Sequence, residues 1–118
     1  MKEIGARARN LPAPPIVVFE SLCQPHRPGA RSWLDLRADE VEPRILVAEP
    51  HARVVWSSLW PDRPDDEIHL DLEPRDRGTR LGFTLLTAGD MPGDGETGRL
   101  RFRLNKILFG DLRLSYGQ

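Results

Sequence analysis

The sequence is short of sulfur and of net charge: one cysteine, one tyrosine and two methionines in 118 residues, with a formal net charge of -1. A lone cysteine, Cys23, excludes an intrachain disulfide and any metal site built from several cysteines. It suits a reducing compartment. Basic and acidic residues are interleaved along the chain, so there is no long-range field to draw in nucleic acid or an anionic membrane. No apolar run approaches the ~20 residues that span a bilayer. The opening MKEIGARARNL lacks the apolar stretch of a signal peptide, so a cytoplasmic location is expected.

Other absences narrow the chemistry. His26, His51 and His69 form no HxxxH, HExxH or CxxC spacing, so no metal and no other cofactor is expected. Ser57 and Ser58 lack the GxSxG turn of a hydrolase. The glycines at 93, 95 and 98 follow no strand and sit among acids, the wrong sign for a phosphate cradle. Cys23 has His26 and Arg27 nearby, which would favour a thiolate. A lone cysteine more often serves as a small apolar residue.

What is present describes an ordinary globular chain: 39% hydrophobic and 30% charged residues, enough for one domain, 1–118, with a single core. The first ten residues read as a strand, with Ile4, Ala6 and Ala8 alternating against Glu3, Arg7 and Arg9. Pro14-Pro15 starts a short helix that ends near Cys23. Residues 30–40 are ambiguous between a second short helix and a packed loop. Four strands come next, at 45–48, 53–59, 67–73 and 79–87. The clearest is 67–73, where Ile68, Leu70 and Leu72 alternate with charged residues and His69. Short connections favour antiparallel pairing. Residues 88–98 read as an exposed loop.

A long helix is predicted over 98–116. Its apolar face carries Leu100, Leu104, Ile107, Leu108, Leu112 and Leu114, widening through Phe102, Phe109 and Tyr116. Arg99, Arg103, Lys106 and Arg113 are assigned to the opposite side. Arg101, Asn105, Asp111 and Ser115 fall inside the apolar arc, where a carboxylate needs a partner or a proton. Consecutive strands without intervening helices indicate an α+β fold with helices on one face.

Three segments, taken in order, resemble a known family. LPAPPIVVFESL (11–22), VEPRILVAEPHARVVWSSL (41–59) and IHLDLEPRDRGTRLGFTLL (68–86) are similar to the first helix, the tryptophan-bearing hairpin and the Gly-Thr hairpin of the START-like, or SRPBCC, superfamily. The likeness is nearest to bacterial proteins related to the activator of the heat-shock-90 ATPase and to polyketide cyclases. The resemblance implies a helix-grip fold: an antiparallel sheet of about five or six strands, a short N-terminal helix or helices, and a long C-terminal helix across the concave face. The chain departs from that family in one respect: it reads as a single domain shortened before the central hairpins, where only 33–44 fills the gap.

Three functions are expected in turn. The first is a binding domain for a small apolar or amphipathic ligand, held between helix and sheet. Its site would comprise Trp33, Trp56, Trp60, Ile68, Leu70, Phe83, Leu85, Leu104 and Leu108, with Arg101, Asn105 and Asp111 as polar anchors. The same aromatic residues would equally make a closed core. The second is an interaction or chaperone-accessory module, binding a protein partner or a second copy through a sheet edge or the loop at Trp60, read as partly exposed. The third is a cyclase- or hydrolase-type enzyme using Asp111 and Arg101. Whether the chain is an enzyme stays open at this point.

Overall fold

The computed structural model of the protein describes residues 1–117. In chain order the elements are β1 (Lys2–Leu11), α1 (Pro15–Cys23), β2 (Ile45–Glu49), β3 (Arg53–Ser57), β4 (Asp66–Arg75), β5 (Gly78–Thr87) and α2 (Asp94–Asn105). Helix α2 continues unbroken into a π-helical stretch, Lys106–Leu112, and a last turn, α3 (Arg113–Ser115). The strands form one open sheet in the order β1-β5-β4-β3-β2, every neighbour antiparallel. The α+β class, the five strands and the short N-terminal and long C-terminal helices are as expected.

Local chemistry explains most boundaries. Helix α1 begins with Pro15 in its first turn, where a missing amide proton costs nothing. The two hairpin turns place His51 (φ 63°) and Asp76 (φ 54°) in the left-handed region, which short polar side chains tolerate better than branched ones. Gly78 opens β5 beside the end of β1, where an added Cβ would lie 2.1 Å from the Leu11 carbonyl oxygen. Only glycine lets the two backbones approach so closely.

Pairing register fixes the buried face of the sheet. Trp56 lies opposite Ile68, Ile68 opposite Leu85, and Leu70 between Val54 and Phe83. These side chains belong to one core with Val18 and Leu22 of α1 and Leu100, Leu104, Ile107, Leu108 and Leu112 of the C-terminal helix. Those five helix residues are all fully buried. Their burial stabilises the docked helix by on the order of 10 kcal/mol, before chain entropy is subtracted. Among the described residues no helix is long and apolar enough to cross a membrane.

The structure corrects four local expectations. In β1 the register shifts between Glu3 and Gly5, and this bulge exchanges the faces of the residues beyond it. Gly5, Arg7 and Arg9 lie opposite Leu85, Phe83 and Leu81, on the helix side; Ala6 and Ala8 do not. The C-terminal helix starts at Asp94, with Asp94 and Glu96 in its first turn, where acids complement the helix dipole. The acidic glycine-rich loop is correspondingly shorter. Phe102 and Leu114 are 67% and 59% exposed, so the apolar arc is narrower than its composition suggests. Arg103 is buried: at 3.6 residues per turn it stands only about 60° from Leu100, inside the arc.

Residues 33–44 form neither helix nor strand. They lay Trp33 and Leu34 into the core and then run beside the end of β3, with Val41 N donating to Leu59 O at 2.8 Å and Ser57 N to Arg44 O at 2.9 Å.

Candidate functional site

The space between helix and sheet is occupied by side chains. Trp56, Ile68, Leu70, Phe83, Leu85, Leu104 and Leu108 are all buried in the single core cluster. Trp33 stacks on Trp56 with ring centroids 6.2 Å apart, and Phe83 on Phe109 at 6.1 Å. Trp56 Nε1 donates to the Leu22 carbonyl at 3.0 Å, which fixes its ring and ties the end of α1 to the sheet. These residues do meet, as the sequence predicts, but they meet as packing. Near the end of the helix, the hollow lined by Val17, Ser21, Trp33 and Tyr116 holds only about 90 Å³.

Trp60 is also buried, 1% exposed, which corrects its reading as a partly exposed interface residue. The reason is a polar cluster that composition did not reveal. Glu40 accepts from Arg103 Nε at 2.8 Å and from a terminal guanidinium nitrogen at 2.7 Å. It also accepts from Trp60 Nε1 at 3.3 Å and the Arg37 amide at 2.9 Å. The same terminal nitrogen of Arg103 also donates to the Asp35 main-chain carbonyl at 2.7 Å. Burial pushes the Glu40 carboxyl up, but hydrogen bonds from Arg103 and the Arg37 amide, with the guanidinium charge, outweigh it and hold the group below its usual range. The hydrogen bond to Glu40 raises Arg103 in turn. This cluster clamps the irregular 33–44 segment to the C-terminal helix. Helical azimuth was the signal that could have found Arg103; nothing in the sequence singled out Glu40.

The polar residues assigned to the helix's inner arc do not converge. Arg101 is exposed, and its stem lies over Gly5, where an added Cβ would stand 2.5 Å from Arg101 Cδ. Asp111 is engaged by Lys106 Nζ at 2.6 Å. The wider i→i+5 turn of the π-helix brings those two together. Asp111 lines a shallow cleft with Arg31, Trp33 and Leu114, to which Arg101 does not contribute, so the two share no common space. Ser115 donates to the Leu112 carbonyl. Asn105 Nδ2 donates to Arg101 O at 3.1 Å, and its Oδ1 is enclosed without a donor.

Cys23 is half-buried, and burial pushes its thiol up, away from the reactive range. His69 sits between Arg53 and Glu67 on the outer sheet face. Among the described residues no three of His, Cys, Asp and Glu are placed to hold a metal ion.

The roomiest of the described clefts, about 330 Å³, lies where β1 and the C-terminal helix part. Arg7 and Arg9 form one wall; Phe102, Asn105, Lys106 and Phe109 form the other, with Gly110 at its end. The β1 bulge turns the two arginines, both exposed, to the helix-facing side of the strand, and the π-helix carries Phe109 and Gly110 to the rim. Of these residues the sequence singled out Asn105 alone, and as an anchor beneath the helix rather than at this cleft; the bulge reverses the faces of β1 and so hid the arginines.

Comparison with known proteins agrees on the architecture. No family model and no curated protein sequence matches the chain. Among solved structures, CalU16 from Micromonospora echinospora superposes with a TM-score of 0.65 at 21% identity, over 89% of this chain and 71% of that one. An AHSA1-like protein from Rhizobium etli gives 0.59 at 18% identity, over 92% and 78%. The Aha1 dimer from Colwellia psychrerythraea gives 0.56 at 15%, over 93% and 98%. The chain therefore shares the fold of these AHSA1-like and Aha1 structures, which agrees with the resemblance seen in its three sequence segments. At such identities the likeness shows the fold alone.

Proposed function

We propose that this chain is a noncatalytic binding domain for a small amphipathic molecule, formed by one shortened helix-grip domain over 1–118. Its site is the cleft between β1 and the C-terminal helix. The observation that carries the reading is that cleft: about 330 Å³, within the size range of small-molecule sites, roughly 300–1,000 Å³. It is walled by two phenylalanines and by charged side chains, and one ring, Phe102, is 67% exposed. A packed interior disfavours a guest beneath the helix, because removing side-chain contacts there forfeits core packing. Catalysis by Arg101 and Asp111 finds no support, since they face different spaces.

Native mass spectrometry of freshly purified protein tests the reading directly. A retained small molecule, lost on replacing Phe102 and Phe109 by alanine, is expected. An apo mass throughout, with no response of the cleft residues in an NMR fragment screen, would overturn it.

A second reading, a protein-interaction module, is favoured by one observation. The edge formed by β2 and its approach exposes Val41, Ile45, Leu46 and Val47 by 38–45%, and all of β2 is exposed. Unpaired edges of this kind invite another strand. A register shift between Ile45 and Val47 works against regular pairing. Sedimentation velocity and a pull-down decide together: a monomer at high concentration that captures no partner removes this reading and leaves the first intact.

A further inference from the structure

The charge in the β1 cleft is one-sided, and that identifies a ligand class. Arg7 and Arg9 stand two residues apart on the helix-facing side of β1, opposite Phe83 and Leu81, where a half-buried strand ordinarily sets apolar side chains. Their Cα atoms are roughly 6.6 Å apart at strand rise, so both guanidinium groups reach one small group. The ion pairs among the described residues engage neither of them. No acid lines the cleft. Lys106 also lines the cleft, but its ammonium is already paired with Asp111, so the free charge there is that of the two arginines.

Inward-pointing charge is also a device by which edge strands discourage aggregation. That account leaves the facing wall unexplained. Phe102 and Phe109 bring two rings to the same space, and Phe102 gains nothing from the core. A row of guanidinium groups across from a row of rings is complementary to a molecule with an oxyanion at one end and a flat apolar body at the other. Guanidinium suits this role because its planar fork binds carboxylate or phosphate through two bonds at once.

We infer that the cleft selects small organic anions, an aromatic or apolar body bearing a carboxylate or phosphate, with Arg7 and Arg9 as the anion-binding pair and Phe102 and Phe109 as the stacking wall. The inference rests on the cleft being the binding site.

The test is an NMR titration of the whole chain with three probes of one shape: 2-naphthoate, 2-naphthyl phosphate and the neutral 2-naphthamide. The expected result is that at least one anion shifts the resonances of Arg7, Arg9, Phe102 and Phe109. The amide should bind about tenfold more weakly or worse, the usual consequence of losing a charge-assisted hydrogen bond. Which anion binds better separates a carboxylate from a phosphate headgroup. Arg7→Gln with Arg9→Gln should abolish the preference for the anion. Arg80→Gln, on the other face of the sheet, should leave it unchanged. Equal binding of anion and amide at the cleft overturns the charge selectivity while sparing the binding reading. Shifts confined to other surfaces, or none with any probe, overturn both.

Discussion

Replacing Glu40 by glutamine removes one charge and almost no volume, and it strikes the most enclosed ion pair among the described residues. The Glu40 and Arg103 side chains are 2% and 5% exposed. Two carboxylate oxygens there accept from Arg103, the Trp60 indole and the Arg37 amide, and every neighbour is a donor. A glutamine NH₂ must therefore face another N–H, and Arg103 is left charged and underpaired. Breaking a buried pair in this way costs about 3 kcal/mol or more, a large share of the roughly 5–15 kcal/mol that stabilises a domain. With a urea slope of about 1.5 kcal/mol per molar, the unfolding midpoint should fall by about 2 M. Tryptophan fluorescence would report it, because Trp33, Trp56 and Trp60 are all buried.

The pH dependence gives a second handle on the same pair. Glu40 titrates below its usual range when folded, against about 4.3 when unfolded. Its contribution is therefore fully present above the unfolded value and is lost as pH falls through the folded one. The gap between the native chain and Glu40→Gln should stay level from pH 7 to about 5 and close below about 4. Exchanging both partners, Glu40→Leu with Arg103→Met, should cost less than the two single changes added, because no orphaned charge remains. A midpoint shift from Glu40→Gln equivalent to less than about 0.5 kcal/mol, or strict additivity in the double variant, would refute the assignment of a buried clamp.

Three further outcomes are expected. Gly78→Ala sets a Cβ against the Leu11 carbonyl and should destabilise the chain by about 1–3 kcal/mol in thermal or urea unfolding; a neutral result would refute the close approach. Trp56→Phe leaves the Leu22 carbonyl without its indole donor and opens space beside Trp33, so a loss of about 2 kcal/mol is expected by the same measurement. Phe102→Ala should change stability by less than about 0.5 kcal/mol, since the ring is mostly in solvent, while weakening any molecule held in the β1 cleft; a large stability loss would mean the ring serves the fold.

The fold was legible where a single periodicity held. In β4, Ile68, Leu70 and Leu72 alternate without interruption, and the turn chemistry at Asp76 and Gly78 marked the hairpin. On the C-terminal helix, 3.6-residue winding found the buried Leu100, Leu104, Ile107, Leu108 and Leu112 but misplaced Phe102, Arg103 and Leu114. The candidate site was far less legible, because irregularities of one residue govern it. The bulge near Ile4 sends Arg7 and Arg9 to the face that simple alternation reserves for Ala6 and Ala8. The π-helical turn joins Lys106 to Asp111 and takes Asp111 away from the role that α-helical winding gives it. Glu40 lies in a segment without periodicity, and its partner is 63 residues distant in sequence. Local pattern cannot reveal such a contact.

The sheet order has a consequence for the way this chain reaches its native state. β1, which precedes the other strands of the sheet in chain order, pairs along its length with β5, from Lys2 against Thr87 to Leu11 against Thr79. The hairpins β2-β3-β4 can close on microsecond timescales as they appear, but β1 has no sheet to join until β5 exists. At synthesis rates of roughly 5–20 residues per second, the amino-terminal strand waits for seconds with its edge unpaired. Its charges, Lys2, Glu3, Arg7 and Arg9, are of the kind that disfavour aggregation of an unpaired strand. Closing so long a loop is the slow, entropy-limited step, so mutations at the β1–β5 seam should register first in the refolding rate.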